Sequence, residues 1–240
     1  MVGTVAELRE KYFGQDHHPS VIFEDKVLGY LTPSDTILDI GCGRTAPHLK
    51  QMRGKAARLI GVELVEFTPE TKAIPDLELH NNDMADLKDI ADASIDLAYC
   101  RSVMEHIEHP AQCYREIYRV LKPGGRFIFL TANIWDYASI IAMVIPNALH
   151  PIIVNRTEGR EMEDTFPTQY RTNSRKKIVQ HCVDSGLKIE QFEYLGQYPN
   201  YFMFNRYAFL LGSKYELFLR RHPSLHWLRG WILAVVTKPG

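Results

Sequence analysis

The sequence predicts an α/β domain, in which strands and helices alternate along the chain. Short runs of β-branched and aliphatic residues recur, the first at Thr36–Ile40, and helix-compatible segments separate several of them. A glycine turn, Gly41-Cys42-Gly43, follows the first run directly. A strand, a glycine turn and a helix in this order are typical of a Rossmann-like sheet, which binds nucleotide-like ligands at the carboxyl ends of its strands.

The composition fits one domain with modest additions. The chain has 240 residues and is 45% hydrophobic, so it can bury a full core. Its net charge of −1 does not favour nucleic acid as its main partner, because nucleic-acid-binding domains are usually strongly basic. The charged first residues are unlike a signal peptide. The scattered cysteines suit reduced thiols in the cytoplasm better than disulfides or a zinc site; they are Cys42, Cys100, Cys113 and Cys182.

Residues 1–35 are expected to form a helical cover over the sheet or its pocket. Residues 5–13 have helical spacing, and Ser20 is expected to cap a second helix that ends at Leu31. The adjacent His17 and His18 lack a carboxylate or a cysteine at ligand spacing, so we predict no metal site.

The turn after the first strand is compatible with two kinds of ligand. Gly41-x-Gly43-x-x-Ala46 formally fits the dinucleotide fingerprint, with Glu63 about 20 residues further on, where that fingerprint places its acid. Asp39, however, precedes the turn by two positions, and an ionised acid there would repel a pyrophosphate and hold a positive charge. The sequence therefore favours a nucleoside with a cationic tail. After the turn, Thr45 is expected to cap a helix over 46–52.

The segment Leu38-Asp39-Ile40-Gly41-Cys42-Gly43 resembles motif I of the class I S-adenosylmethionine-dependent methyltransferases, in their type 11-like group. The resemblance implies that Asp39 lies near the amino group of the methionine moiety of S-adenosylmethionine. Many members of that family have a third glycine where this chain has Thr45, so the turn here is expected to be slightly stiffer.

Two later acids follow the second and third predicted strands. Glu63 ends the run Arg58–Glu63 and can accept two hydrogen bonds from a ribose diol, although it also fits an exposed strand end. Asp83 follows the run Leu77–His80. The resemblance implies that Asp83 meets the exocyclic amine of adenine, although it also fits a simple turn. Met84 is expected to pack on the adenine ring, and Leu64 completes the predicted cofactor contacts after the second strand.

The fourth and fifth predicted strands complete a cofactor-binding core over 36–131. By resemblance, Cys100 and Arg101, at the end of the run from Ala93, pass close to the methionine part of the cofactor. An amphipathic helix over Pro110–Leu121 follows. The segment Leu121-Lys122-Pro123-Gly124-Gly125 resembles the family's tight connection into strand five, which is expected over Arg126–Thr131.

Residues 132–172 are interpreted as a lid and acceptor insert. The stretch 137–154 contains no Asp, Glu, Lys or Arg, but Pro146 and Pro151 interrupt it, so a membrane-spanning helix is not expected. An apolar cap over the pocket is favoured, and a membrane-facing lid is the alternative. The possible general bases are His106, His150 and Tyr170, and none of them is compelling.

Residues 173–240 are expected to complete a single domain over 1–240. Asn173 or Ser174 is predicted to cap a helix that ends before Gly186, followed by a sixth strand over Leu187–Leu195 and a helix-compatible stretch over Tyr198–Leu219. Residues 231–237 form the last predicted strand. The resemblance implies that this seventh strand is antiparallel and lies between strands five and six, with helices on both faces of the sheet.

The sequence therefore predicts a cytoplasmic methyltransferase that uses S-adenosylmethionine and no metal. Oxygen is the preferred acceptor atom by analogy, on a small or a lipid- or glycan-linked acceptor, with peripheral membrane contact as an option. Two alternatives stay open: an NAD(P)-dependent oxidoreductase, which the formal glycine fingerprint permits, and a non-catalytic cofactor-binding scaffold.

Overall fold

The computed structural model describes residues 3–16, 18–144 and 166–240, and it contains a seven-stranded sheet. The strands are β1 (Thr36–Ile40), β2 (Arg58–Val62), β3 (Leu77–His80), β4 (Ile95–Arg101), β5 (Leu121–Ala132), β6 (Lys188–Leu195) and β7 (Trp231–Thr237). The strand order is β3-β2-β1-β4-β5-β7-β6, and β7 alone among these strands runs opposite to the others, antiparallel to its neighbours β5 and β6. This confirms the predicted fold class and the position of the last strand.

Helices cover both faces of the sheet, as predicted. They are α1 (Val5–Phe13), α2 (Pro19–Tyr30), α3 (Pro47–Gln51), α4 (Pro69–Lys72), α5 (Pro110–Val120), α6 (Tyr137–Val144), α7 (Arg175–Ser185) and α8 (Arg206–Arg221). On one face Tyr114 and Ile117 of α5 and Ile178 of α7 pack against the strands. On the other face Phe23 of α2 and Leu49 of α3 do so.

Two predicted helix caps are wrong, for local reasons. Thr45 does not cap α3; the N-cap is Ala46, which adopts the left-handed conformation with φ of 43° immediately before Pro47. Ser20 lies inside α2, whose N-cap is His18; its Nδ1 accepts a hydrogen bond from the Ser20 N–H at 3.2 Å. A proline at the first helical position moves each cap to the residue before it. His17 lies outside the described residues.

The proline-glycine-glycine connection is a bulge at the start of β5. Ile95 pairs with Leu121 and Leu97 pairs with Arg126, so the residues between Leu121 and Arg126 leave the ladder. Gly124 takes a φ of +80° in this bulge, which glycine adopts at little cost. The strand therefore begins before the predicted Arg126, although the tight connection itself is where the sequence placed it.

The segment 196–230 lies at the carboxyl edge of the parallel strands. It joins the end of β6 to the start of β7, and both ends lie at that edge because β7 is antiparallel. The helix-compatible stretch predicted over Tyr198–Leu219 forms two helical elements: a short 3₁₀ helix, Asn200–Phe202, is followed by Asn205, which caps α8. A second 3₁₀ helix, Pro223–Leu228, leads into β7.

Of the predicted insert over 132–172, the structure describes α6 and residues 166–172, and the stretch 145–165 lies outside the described residues. None of the described helices combines the length and the apolar character that crossing a membrane requires.

Candidate cofactor site

The turn between β1 and α3 is built around two glycines in left-handed conformations. Gly41 has a φ of +69° and Gly43 a φ of +76°. A Cβ on Gly41 would lie 2.3 Å from Cγ2 of Val103, so only glycine fits there. A Cβ on Gly43 would meet no heavy atom of the described chain within 4 Å. Gly43 therefore borders open space, while Gly41 lets the turn approach the loop after β4.

Asp39 lies beneath this turn, in register with Gly61 of β2 and Tyr99 of β4. Its side chain is buried, and within the described residues its Oδ2 atom has no well-formed hydrogen bond. Burial raises the pKa of Asp39 to about 7, while the nearby Tyr99 hydroxyl and Arg101 oppose the rise. The carboxyl is thus partly protonated at neutral pH, rather than fully ionised as the sequence interpretation assumed. A cation placed against it would favour its charged form.

Glu63 connects the glycine turn to the end of β2. One carboxylate oxygen accepts the Gly43 N–H at 2.8 Å, and the other accepts the Leu64 N–H at 2.8 Å. The side chain is buried, so these bonds hold it in a fixed position. Each carboxylate oxygen keeps a further lone pair, because a carboxylate offers about four acceptor sites. A ribose diol can therefore still bind it.

The turn has few N–H groups left for a pyrophosphate. Gly41 and Cys42 both donate to the carbonyl oxygen of Val62, at 2.8 and 3.2 Å, and Gly43 donates to Glu63. The helix that follows has five residues and begins with Pro47, which has no N–H. Dinucleotide sites depend on turn and helix N–H groups that point at the phosphates. This geometry therefore disfavours the dinucleotide interpretation.

The loop after β3 carries the predicted adenine contacts and one residue that the sequence did not indicate. Asp83 is exposed, and its Oδ1 accepts the Ala85 N–H at 2.7 Å. Met84 is buried in the core, whereas Leu64 is 55% exposed at the end of β2. Asn82 was not predicted: it is buried, and its Nδ2 has no hydrogen-bond partner in the part of the chain that the structure describes.

The two predicted residues at the end of β4 differ in orientation. The Cys100 side chain is fully buried in the core, so only its backbone can face a ligand. Arg101 forms an ion pair with Glu24 of α2 at 3.0 Å and bonds to His48 of α3. Burial, followed by the charge of Arg101, lowers the pKa of His48. Arg101 thus links α2 and α3 to the end of β4. No spacing in the sequence indicated Glu24 or His48 as its partners.

Two of the three possible bases belong to one cluster, formed by the loop after β4 and residues 167–170. His106 Nδ1 lies 3.2 Å from the Pro167 carbonyl oxygen, and the Tyr170 N–H donates to the carbonyl oxygen of Glu105 at 3.1 Å. Tyr170 has a left-handed φ of 49°, and burial raises its pKa. His150 lies outside the described residues. In the described part of the chain, no three His, Cys, Asp or Glu side chains gather to hold a metal ion.

A second buried polar cluster lies beyond the end of β5 and was not predicted. Asp136 and Glu216 are both buried, and among the described residues Asp136 Oδ1 and Arg229 Nε have no hydrogen-bond partner. Burial raises the pKa of Asp136 to about 6. Burial raises the pKa of Glu216 to about 8, and the charge of Asp136 adds to this. About 80 residues separate Asp136 from Glu216, so no local pattern could connect them.

Comparison with known proteins agrees with this geometry. Residues 38–129 match the model of a methyltransferase domain family. A ubiquinone biosynthesis O-methyltransferase of Neisseria meningitidis is 30% identical over 104 residues, which cover 40% of this chain and 44% of that protein. The chain spans about a third to a half of the length of the first curated relatives it matches.

Solved structures share the fold at low identity. A geranyl diphosphate C-methyltransferase from Streptomyces coelicolor, crystallised with S-adenosyl-L-homocysteine, superimposes with a TM-score of 0.57 at 16% identity and covers 97% of this chain and 84% of its own. The [4+2]-cyclase SpnF superimposes with a TM-score of 0.55 at 18% identity, covering 91% and 80%. At these identities the likeness concerns the fold alone. The match over residues 38–129, together with the strand order around it, supports the resemblance to the class I, S-adenosylmethionine-dependent methyltransferases.

Proposed function

We propose that this protein transfers a methyl group from S-adenosylmethionine to a small or lipid- or glycan-linked acceptor. The observation that carries the proposal is the buried Asp39 carboxyl, which lacks a well-formed hydrogen bond within the described residues, beneath a turn whose N–H groups are already engaged. Such a site suits a cation and not a phosphate. When bound, S-adenosylmethionine supplies an activated methyl group on a sulfonium leaving group.

The side chains of the proposed cofactor site have separate roles. Asp39 binds the amino group of the methionine moiety, and Glu63 accepts the ribose hydroxyls while holding Gly43 in place. Asp83 accepts the adenine amine, and the exposed Leu64 covers one side of the adenine ring. Met84 packs beneath the ring from the core. The backbone of Gly41, Cys42, Gly43, Cys100 and Arg101 borders the methionine part.

On the acceptor side, the protein aligns the acceptor atom and excludes water, and such positioning is worth about 7–11 kcal/mol in favourable cases. His106 or Tyr170 acts as a base only where the acceptor must lose a proton first. Oxygen is proposed as the acceptor atom, and the O-methyltransferases among the relatives support this choice. The apolar stretch over 137–154 supports an acceptor with an apolar part and contact with a membrane surface.

The domain organisation belongs to the same proposal. Residues 1–240 act as one cytoplasmic domain: 1–35 cover the site, 36–131 bind the cofactor, 132–172 shape the acceptor side and 173–240 complete the sheet. The ion pair of Arg101 with Glu24 supports the covering role of the first segment, because it ties α2 to the end of β4.

A thermal-shift assay with S-adenosylhomocysteine and with NAD separates this proposal from an oxidoreductase. At 100 times its Kd a ligand adds about 2.7 kcal/mol to the free energy of unfolding, so the melting temperature should rise with S-adenosylhomocysteine. Stabilisation by NAD alone would overturn the proposal. Acceptor pools incubated with a radiolabelled methyl donor then separate an enzyme from a scaffold, because a scaffold binds the cofactor without any turnover.

A further inference from the structure

The outer face of α8 carries a stripe of large apolar side chains. Tyr207, Leu211 and Phe218 are spaced by four and seven residues, which places them on one side of the helix. Leu211 is 72% exposed and Phe218 is 49% exposed. Phe204, just before the helix, is 78% exposed and extends the apolar surface. A single exposed apolar residue is ordinary, but three on one side of a helix, with Phe204 just before it, form a surface that water solvates poorly.

The chain's own packing leaves this stripe outside the core. The opposite face of α8 is the buried one: Phe209 contacts Phe13 of α1 edge to face at 6.4 Å. Gly212 faces the core side, where a Cβ would lie 2.7 Å from Pro199. Arg220, beside that face, is paired with Asp16. The helix is therefore anchored through its opposite face, and the residues of the outer stripe belong to none of the hydrophobic clusters of the described residues.

The same stripe is basic. Lys214 and Arg221 fall on it by helical spacing and are exposed, and Arg206 stands exposed at the start of the helix. Within α8, which is described from end to end, the one acid is Glu216, and that side chain is buried on the opposite face. The outer surface thus combines apolar side chains with positive charge and no negative charge from the helix itself.

The stripe belongs to the acceptor side of the molecule. The segment that contains α8 joins β6 and β7 at the carboxyl edge of the parallel strands, where the proposed cofactor site lies. Tyr137 of α6 stacks on Phe202 at 5.6 Å and meets Tyr215 of α8 edge to face at 5.5 Å. A surface that bound α8 would therefore lie next to the elements that shape the acceptor side.

We propose that the outer face of α8, formed by Phe204, Tyr207, Leu211, Lys214, Phe218 and Arg221, docks the protein on a membrane surface of anionic phospholipid. Apolar and aromatic side chains enter the boundary between headgroups and acyl chains, while the cations pair with lipid phosphates, as in interfacial amphipathic helices. A second copy of the chain fits this surface less well, because a two-fold pairing would bring the basic side chains of both copies together. This inference extends the proposal of a lipid-linked acceptor. It rests on the proposed function only for its biological purpose, because docking on a membrane needs no methyl transfer.

Flotation with lipid vesicles tests this surface. The protein should float with vesicles of phosphatidylcholine and phosphatidylglycerol, bind pure phosphatidylcholine more weakly, and lose binding as salt is raised. Leu211→Glu with Phe218→Glu should abolish flotation. The matched control, Val183→Glu, changes a side chain that is 69% exposed on α7 and should float as the unmodified protein does. Lys214→Ala with Arg221→Ala should weaken binding about 30-fold, since each basic residue near an anionic surface contributes about fivefold.

The melting temperature of each variant is also measured with and without S-adenosylhomocysteine. A low melting temperature identifies a folding defect. The shift caused by the ligand tests the cofactor proposal separately from docking. Absence of flotation by the unmodified protein would overturn the inference. A second outcome would also overturn the inference: the α8 variants float normally, and light scattering shows that they are monomers while the unmodified protein is a dimer. The face would then be an interface between copies of this chain.

Discussion

The protonation of one residue, Asp39, should govern how cofactor affinity depends on pH. Burial raises its pKa to about 7, so the carboxyl is mostly neutral at pH 6 and mostly ionised at pH 8. A cationic ligand binds the ionised form and therefore loses up to about tenfold in affinity for each pH unit below the pKa. We expect the Kd for S-adenosylhomocysteine, measured by calorimetry, to decrease from pH 6 to pH 8.

Two variants check that this pH dependence comes from Asp39. Asp39→Asn should weaken binding and remove the dependence, because the amide does not ionise. Asp136→Asn changes another buried acid with a raised pKa, outside the turn, and should keep the dependence. If Asp39→Asn bound with the affinity and pH profile of the unmodified protein, the carboxylate would have no part in the site.

Single residues could be predicted from the sequence where their position in the chain fixes their place in the fold. Asp39 and Glu63 lie at the ends of two adjacent strands, and the structure brings both beneath the same glycine turn. The protonation of Asp39 could not be predicted, because it depends on burial by several elements. Asn82 gave no signal either, since an asparagine in a polar loop looks like any turn residue.

In the turn between β1 and α3, Gly41 and Gly43 have similar backbone angles, but substitution by alanine should affect the protein differently at the two positions. Both substitutions place a Cβ on a left-handed residue, which costs about 1–2 kcal/mol. Gly41→Ala adds a clash with Val103 and should lower the melting temperature strongly. Gly43→Ala meets open space, so the protein should fold with a modest loss of stability. Its new methyl group should instead weaken binding of S-adenosylhomocysteine, measured by calorimetry.

Gly41→Ala and Gly43→Ala serve as controls for each other. If Gly43→Ala bound the cofactor as tightly as the unmodified protein, the open space beside Gly43 would not be the cofactor site. If Gly41→Ala were as stable as Gly43→Ala, the close approach of Val103 would not be a constraint on the turn.

Whole elements were predictable where burial and periodicity agree. β1, β3 and β7 begin and end where their apolar runs do, and β1 and β7 have a neighbouring strand on each side. The ends of helices were less predictable, since the left-handed Ala46 before Pro47 replaced the expected cap at Thr45. The helix-compatible stretch Tyr198–Leu219 contains two helical elements, because Asn205 caps a new helix after the 3₁₀ helix Asn200–Phe202.

For the molecule as a whole, the sequence indicated the arrangement at the ends of β1, β2 and β3 better than the buried polar cluster beyond β5. Asp39 near the end of β1, Glu63 after β2 and Asp83 after β3 lie at the same edge of the sheet because these strands are adjacent and parallel. That arrangement follows from the strand order alone. The cluster of Asp136, Glu216 and Arg229 comes from segments that are distant in the chain, and the pairing of β5 with β7 brings Asp136 and Arg229 to the same edge of the sheet. No local pattern could predict their burial or their charge state.

This buried cluster should make the stability of the whole molecule fall as pH rises. The pKa of Glu216 is raised from 4.5 to about 8 in the folded state. Between these values the unfolded chain has lost the proton that the folded protein keeps, so the free energy of unfolding decreases by up to about 1.4 kcal/mol per pH unit. Asp39 and Asp136 act in the same direction below about pH 7 and pH 6. Denaturant unfolding from pH 5 to pH 8 measures this slope.

Glu216→Gln should make the free energy of unfolding depend less steeply on pH, because it removes one acid that must ionise in a buried position. The gain in stability relative to the unmodified protein should be largest near pH 8. Glu116→Gln is the control of opposite sign. Its hydrogen bond with Arg119 lowers the pKa of Glu116, so its contribution is present above its ordinary pKa and is lost as pH falls. That variant should therefore lose stability at neutral pH. If Glu216→Gln kept the full slope, Glu216 would already be ionised in the folded protein, and the cluster would be a permanent ion pair between Glu216 and Arg229 rather than a titrating acid.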